Sequence, residues 1–435
     1  MKVQSEALNV LQLGVGFLLI FFAADAQSAI IEIIIDAKNK DRVLDEYAGY
    51  ISSAIGYGVF TFSNFVSASI VGLLGPRWAL VIGAAVYALF QAGFFFLNEP
   101  FLYISSVLLG LASGVIWTAQ GKYIAMNSTK ETAVMHSSLF WGAYKCCLVG
   151  SGIFLYFMFR DLKDNDDIED SKLTLLYSVF TAVTVVAVMI LGFLRTPKKD
   201  RPLVDSDVEL ETTFKERLYS TFKLFRDKRI LFLAVSCAYV GVEISFWSGI
   251  YPSSISFTKK LAKNTKIIMA LNTIAEAGFL FGILGDVAKK VGRIRIVLLG
   301  LIIHLLVFVA VYLNFPSDAP LGKTESEGTI KPPNVAIALI CGYFLGFGDA
   351  CWNTQIFSLL ISKFSNKSAE AFSLFFFFQS LTTALAFFYA SYFTMRVHIL
   401  ILIITGILGF LGFFVVERLP TATEEKNEYS LSHVD

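Results

Sequence analysis

Apolar residues come in long blocks separated by short polar breaks. Blocks able to cross about 30 Å of hydrocarbon run over 7–35, 48–74, 78–97, 100–125, 134–158 and 173–194. After a polar segment the pattern resumes over 230–257, 266–286, 294–314, 334–362, 367–392 and 397–416. In lipid every backbone N–H and C=O must find its partner within the segment, so such blocks predict helices. The expectation is an all-α membrane protein of about 12 transmembrane helices in two pseudo-symmetric halves, 1–194 and 230–416, with a linker at 195–229 and a tail at 417–435. The first block outruns a cleavable h-region, carries Asp25 and shows no small-residue cleavage pattern, so it reads as a retained span.

The linker is the one long charged break. Phe214, Leu218, Phe222 and Phe225 recur there at helical spacing, with Lys215, Arg217, Lys223 and Arg226 between them. That pattern fits a helix lying on the membrane surface, basic residues toward anionic headgroups. Counting Lys and Arg places both termini and the linker on the cytoplasmic side, although Lys259, Lys260, Lys263 and Lys266 fall outside against the bias. The sequons at Asn127 and Asn366 then land inside, where no glycan is added.

Composition agrees with a lipid-solvated chain. Hydrophobic residues make up 55% and charged residues 16%, with Phe at 42 positions, too apolar for a chain that must cover itself with polar surface. The partner implied is the lipid bilayer. A formal net charge of +1 argues against nucleic acid. All five cysteines lie inside apolar stretches and read as small hydrophobes rather than a disulfide framework.

The halves resemble each other in order. Trp117-Thr-Ala-Gln120 in span 4 matches Trp352-Asn-Thr-Gln355 in span 10, and Ser138-Leu-Phe-Trp141 matches Ser373-Leu-Phe-Phe376. Gly72-Leu-Leu-Gly75, between spans 2 and 3, has its counterpart in Gly282-Ile-Leu-Gly285-Asp286, followed by Gly292, Arg293 and Arg295. Duplicated six-helix units are a common build for secondary transporters, with ligands held between them.

The Gly282-to-Arg295 segment resembles the signature of the major facilitator superfamily, with two extra residues before Gly292 and a first-half copy reduced to Gly72, Gly75 and Arg77. Trp117–Gly121, Glu243-Ile-Ser-Phe-Trp-Ser-Gly-Ile-Tyr251 and Gly348-Asp-Ala-Cys-Trp-Asn-Thr-Gln355 are similar to the UNC-93-like family, nearest its major facilitator domain-containing branch, over nearly the whole chain. The resemblance implies the facilitator fold. Spans 1, 4, 7 and 10 would line a central cavity, spans 2, 5, 8 and 11 flank it, and the other four lie at the periphery. It leaves activity open, since some relatives regulate potassium channels and others escort membrane receptors.

A charge at mid-bilayer costs roughly 2.5–3.5 kcal/mol, so each one needs a reason. Asp25 and Glu32 lie in span 1, Glu243 in span 7, Glu276 in span 8, Asp349 in span 10 and Lys145 in span 5. All sit on cavity or flanking helices of the implied fold, whereas the peripheral spans carry only His304 and His398, which can stay neutral. One lysine against five acids means that some acids are protonated, hydrated or ion-bound. These six are the candidate coupling or cavity residues, with Asp25 opposite Glu243 across the pseudo-twofold and Glu276 the expected ion-pair partner of Lys145. Trp117, Gln120, Trp352, Asn353 and Gln355 are candidates for cavity lining, or for packing through interhelical hydrogen bonds.

Nothing in the sequence resembles a catalytic nucleophile, a metal-ligand set, a cofactor motif or a phosphate loop, so an enzyme is not expected. Two classes fit: a proton- or cation-coupled transporter of a small solute, and a non-transporting subunit that binds a partner channel or receptor.

Overall fold

The computed structural model describes residues 2–38, 45, 47–128, 133–161, 169–195, 219, 222–282, 291–364 and 368–420. Six helices form the first half: α1 (Lys2–Lys38), α2 (Ala48–Leu74), α3 (Pro76–Gly93), α4 (Glu99–Met126), α5 (Ala133–Phe159) and α6 (Asp170–Gly192). In the second half α7 begins at Lys228–Ser245, widens through Phe246–Ile250 and continues as Tyr251–Phe257. Next, α8 runs over Thr265–Ala275, tightens at Glu276–Gly278 and resumes at Phe279–Gly282. Then come α9 (Arg293–Asn314), α10 (Val335–Lys363), α11 (Ser368–Ala390) and α12 (Met395–Arg418).

Among the described residues, ten of these helices are long and apolar enough to cross a membrane. Along α2, Ser52, Thr61, Ser63, Asn64 and Ser67 are buried against other helices. Helix α8 is interrupted at Glu276–Gly278, where Gly278 lies so close to the Tyr343 carbonyl of α10 that a Cβ would sit 2.2 Å from that oxygen.

The packing repeats between halves. Helix α1 packs on α5 and α6 as α7 packs on α11 and α12, while α2–α4 and α3–α6 are mirrored by α8–α10 and α9–α12. The halves meet chiefly where α2 packs on α11 and α5 on α8. The repeated signature is visible at two helix starts. Gly75 (φ 74°) precedes α3 and Gly292 (φ 90°) precedes α9, each in a conformation that L side chains rarely adopt. Arg77 then donates to the Gly192 carbonyl at the end of α6, and Arg293 binds Glu417 near the end of α12 at 2.9 Å. Gly72 faces open space, Gly282 ends α8, and Gly285 and Asp286 lie outside the described residues.

The end of the bundle away from the linker is covered by the α9–α10 connection. Thr324 bonds backbone to backbone with Phe257 and Lys259, and Tyr50 Oη of α2 donates to the Pro320 carbonyl at 3.3 Å. At the linker end, Phe222 stacks on Phe65 of α2 at 5.7 Å and Phe225 packs against Phe378 of α11 at 5.3 Å. Both make ring contacts with the bundle, while Phe222 stays largely exposed. The α2–α11 seam offers them rings to pack on. Phe214, Leu218, Lys215 and Arg217 lie outside the described residues.

Candidate functional site

At mid-depth, between the halves, lies a cavity of about 220 Å³. Its wall takes Asp25 from α1, Trp117 from α4, Lys145 from α5, Trp247 from α7, and Asp349 and Asn353 from α10, with aromatic rings between them. Toward the linker, Trp117 stacks on Trp141 at 6.0 Å, and Trp141 meets Phe357 at 5.7 Å and Phe279 at 6.0 Å. This aromatic layer joins both halves beneath the cavity.

Lys145 is the cation at its centre. The residue is buried, and its ammonium lies 4.6 Å from the Phe279 ring, 4.9 Å from Trp247 and 5.3 Å from Tyr144. Three ring faces in a dry setting stabilise an ammonium by up to about 2 kcal/mol or more apiece. The expected ion pair with Glu276 is not formed. Among the described residues no carboxylate comes within ion-pair distance of the ammonium, because the cage of rings holds it at the cavity wall. Its charge still attracts Asp25, Glu243, Glu276 and Asp349.

Each acid has its own local partner. Asp25 receives the Cys147 thiol at 3.5 Å. Asp349 accepts from Asn353 Nδ2 at 2.6 Å, and Glu276 from Asn272 Nδ2, one turn earlier on α8, at 2.8 Å. Glu243 lies beside Asp349, with His304 Nε2 of α9 at 3.9 Å. The widened turn of α7 begins three residues after Glu243. Pro252 has no N–H to close the regular ladder, Tyr251 N–H reaches back to the Phe246 carbonyl, and Trp247 and Ser248 are turned toward the cavity.

Other predicted residues are placed elsewhere. Glu32 is buried between α1 and α2, where it accepts from the Tyr50 backbone N–H. Trp352 packs on Tyr239 at 4.7 Å, and Gln355 donates to Thr354 Oγ1 at 3.0 Å. Gln120, Trp352 and Gln355 are outside the cavity lining, whereas Trp117 and Asn353 belong to it. Sequence reasoning did not single out the tyrosines 57, 87 and 144, or Phe279 and Asn272, and it named Trp141 only as part of the internal repeat. Asn272, one helical turn from Glu276, was the legible signal among them.

His304 sits on a helix that the implied fold places at the periphery. It reaches inward instead, with Nδ1 at 2.5 Å from Tyr239 Oη and Nε2 at 3.2 Å from the Leu345 carbonyl. Gly348 makes this possible, since a Cβ there would overlap the imidazole.

A twelve-helix membrane bundle in two matched halves, with a cavity bearing charged side chains on their seam, is the major facilitator fold. The fucose:proton symporter FucP of E. coli superposes with a TM-score of 0.63 at 13% identity, covering 94% of this chain and 98% of that one. A mutant of the nucleoside transporter NupG gives 0.63 at 12% identity, over 94% and 99%. The sequence profile described as "Ion channel regulatory protein UNC-93" matches residues 39–414. UNC93-like protein MFSD11 of Xenopus tropicalis is 33% identical over 97% of this chain and 98% of its own length. Protein unc-93 homolog A of Bos taurus is 24% identical over 91% of this chain and 90% of its own. The chain belongs to the UNC-93 family.

Proposed function

We propose that this protein is a proton- or cation-coupled small-solute transporter working by alternating access. The observation that carries the reading is the set of acids inside the bundle, Asp25 half-buried on the cavity wall and Glu243, Glu276 and Asp349 buried, gathered within reach of the Lys145 charge at the seam of the halves. Ionisable groups at this depth are rare and commonly mark ion or proton pathways. Asp25 and Glu243, one on the first helix of each half, are the proposed coupling pair. Asp349 is their neighbour on the cavity wall. The units 1–194 and 230–416 are the proposed moving bodies, with the linker and both termini cytoplasmic on the Lys and Arg bias. Cysteines introduced singly at Asp166 and Ser206 test that orientation. An impermeant thiol reagent applied to intact cells bearing the protein at their surface should label the first and spare the second; the reverse would invert it.

The family description favours a second reading, a regulatory subunit of an ion channel. Reconstituted liposomes with an imposed proton gradient separate the two. A transporter should concentrate at least one solute of a broad library, and Asp25→Asn or Glu243→Gln should abolish that uptake while leaving the fold intact. A well-folded wild-type protein that moves no solute, and co-purifies with a channel, would sink the transport reading.

A further inference from the structure

Lys145 presents a buried ammonium to the cavity with no protein acceptor. It makes no hydrogen bond or ion pair among the described residues, and rings occupy its flanks. A charge taken out of water persists only where something satisfies its donors. The ring faces stabilise the positive charge but accept none of its N–H groups well, so the acceptor must come from the cavity side.

The rings also decide the sign of what can enter. Tyr144, Trp247 and Phe279 form the kind of aromatic cage that holds an organic cation, but the lysine already fills it. A second cation there would face the ammonium directly. The two carboxylates on the wall are locally engaged, Asp349 by Asn353 and Asp25 by the Cys147 thiol, while the ammonium is not. Around these groups the surface is aromatic, as a flat apolar body requires. The volume, about 220 Å³, lies below the roughly 300–1,000 Å³ of pockets for drug-sized ligands, so the occupant is small.

We infer that the cavity binds a small organic carboxylate, its flat apolar body against the aromatic walls and its carboxylate on the ammonium of Lys145. This rests on the transport reading for its physiological meaning, but binding can be measured without transport. The full-length protein, purified in detergent, is titrated with benzoate, benzamide and benzylamine, three probes of one shape and three charges. Tryptophan fluorescence gives the readout, since Trp117, Trp141 and Trp247 line the cavity. Benzoate should saturate, with the amide and the amine weaker by roughly tenfold or more. Lys145→Met should weaken benzoate by a similar factor, and Lys145→Arg should retain part of the binding. An equal response to the three probes, tighter binding of benzylamine, or no saturable response to benzoate would overturn the assignment. The wild-type comparison decides even if Lys145→Met fails to fold. Benzoate binding without flux in liposomes would leave this site standing and remove the transport reading alone.

Discussion

Gly348 is where α10 lets His304 through. A Cβ at this position would lie 2.2 Å from Nε2 of an imidazole already held by Tyr239 on one side and the Leu345 carbonyl on the other. The ring cannot retreat without losing a bond, so a methyl group here acts as overpacking, which destabilises by about 1–3 kcal/mol. Gly348→Ala should therefore lower the thermal unfolding midpoint of the purified protein. Gly121→Ala, at a helical glycine facing open space, should leave it unchanged or raise it slightly. Equal midpoints for the two variants would show that His304 is not held as described. The sequence exposed the acids one by one, because a charge inside an apolar block stands out. Their partners were less legible. Asn272 and Asn353 are ordinary helix residues until the fold shows which carboxylate each serves, and the cage around Lys145 draws its rings from three different helices.

Among the elements, the long apolar blocks were readable because lipid removes the alternatives to helix. Helices α9 and α12, all but free of charge within the span, are the plainest cases. What the blocks did not disclose is irregularity within them. The widening of α7 depends on Pro252, which could have been read as a simple kink, and its role in turning Trp247 toward the cavity follows only from packing. The break in α8 arises from a close approach of backbones. A Cβ at Gly346 would meet the Glu276 carbonyl at 2.0 Å, and one at Gly342 would meet Asn272 Oδ1 at 1.9 Å. Helix α4 does the same against α2, where a Cβ at Gly110 would sit 2.3 Å from the Gly56 carbonyl. Small residues four apart are how membrane helices pack closely without a hydrophobic driving force. Gly110 with Gly114 and Gly342 with Gly346 are thus a second sign of the internal repeat, on equivalent helices. The interhelix signature was the opposite case, since its motif was recognised while much of it falls outside the described residues.

At the scale of the whole molecule, the halves touch at both ends of the cavity. Away from the linker, Tyr50 Oη donates to the Pro320 carbonyl at 3.3 Å, Asn264 Nδ2 donates to the Phe159 carbonyl at 2.9 Å, and Tyr57 stacks on Phe387 at 5.7 Å. On the linker side, Phe65 meets Phe377 at 5.1 Å and Trp141 meets Phe357 at 5.7 Å, with Ser373 Oγ donating to the Asn64 carbonyl at 3.4 Å. If the halves rock, these two sets oppose each other, and weakening one should shift the population toward opening at that end. A lost hydrogen bond is worth about 1 kcal/mol, a change of roughly fivefold in the equilibrium. Ser52 lies on the cavity wall toward the end away from the linker, so a cysteine there, in a background without the native cysteines, reports the opening. Adding Tyr50→Phe with Asn264→Ala should speed its labelling by an impermeant thiol reagent severalfold. Adding Phe65→Ala instead, which loosens the linker-side end, should slow it. Identical labelling rates in all three proteins would mean that the halves do not exchange between two openings, and alternating access would fail at the level of the fold.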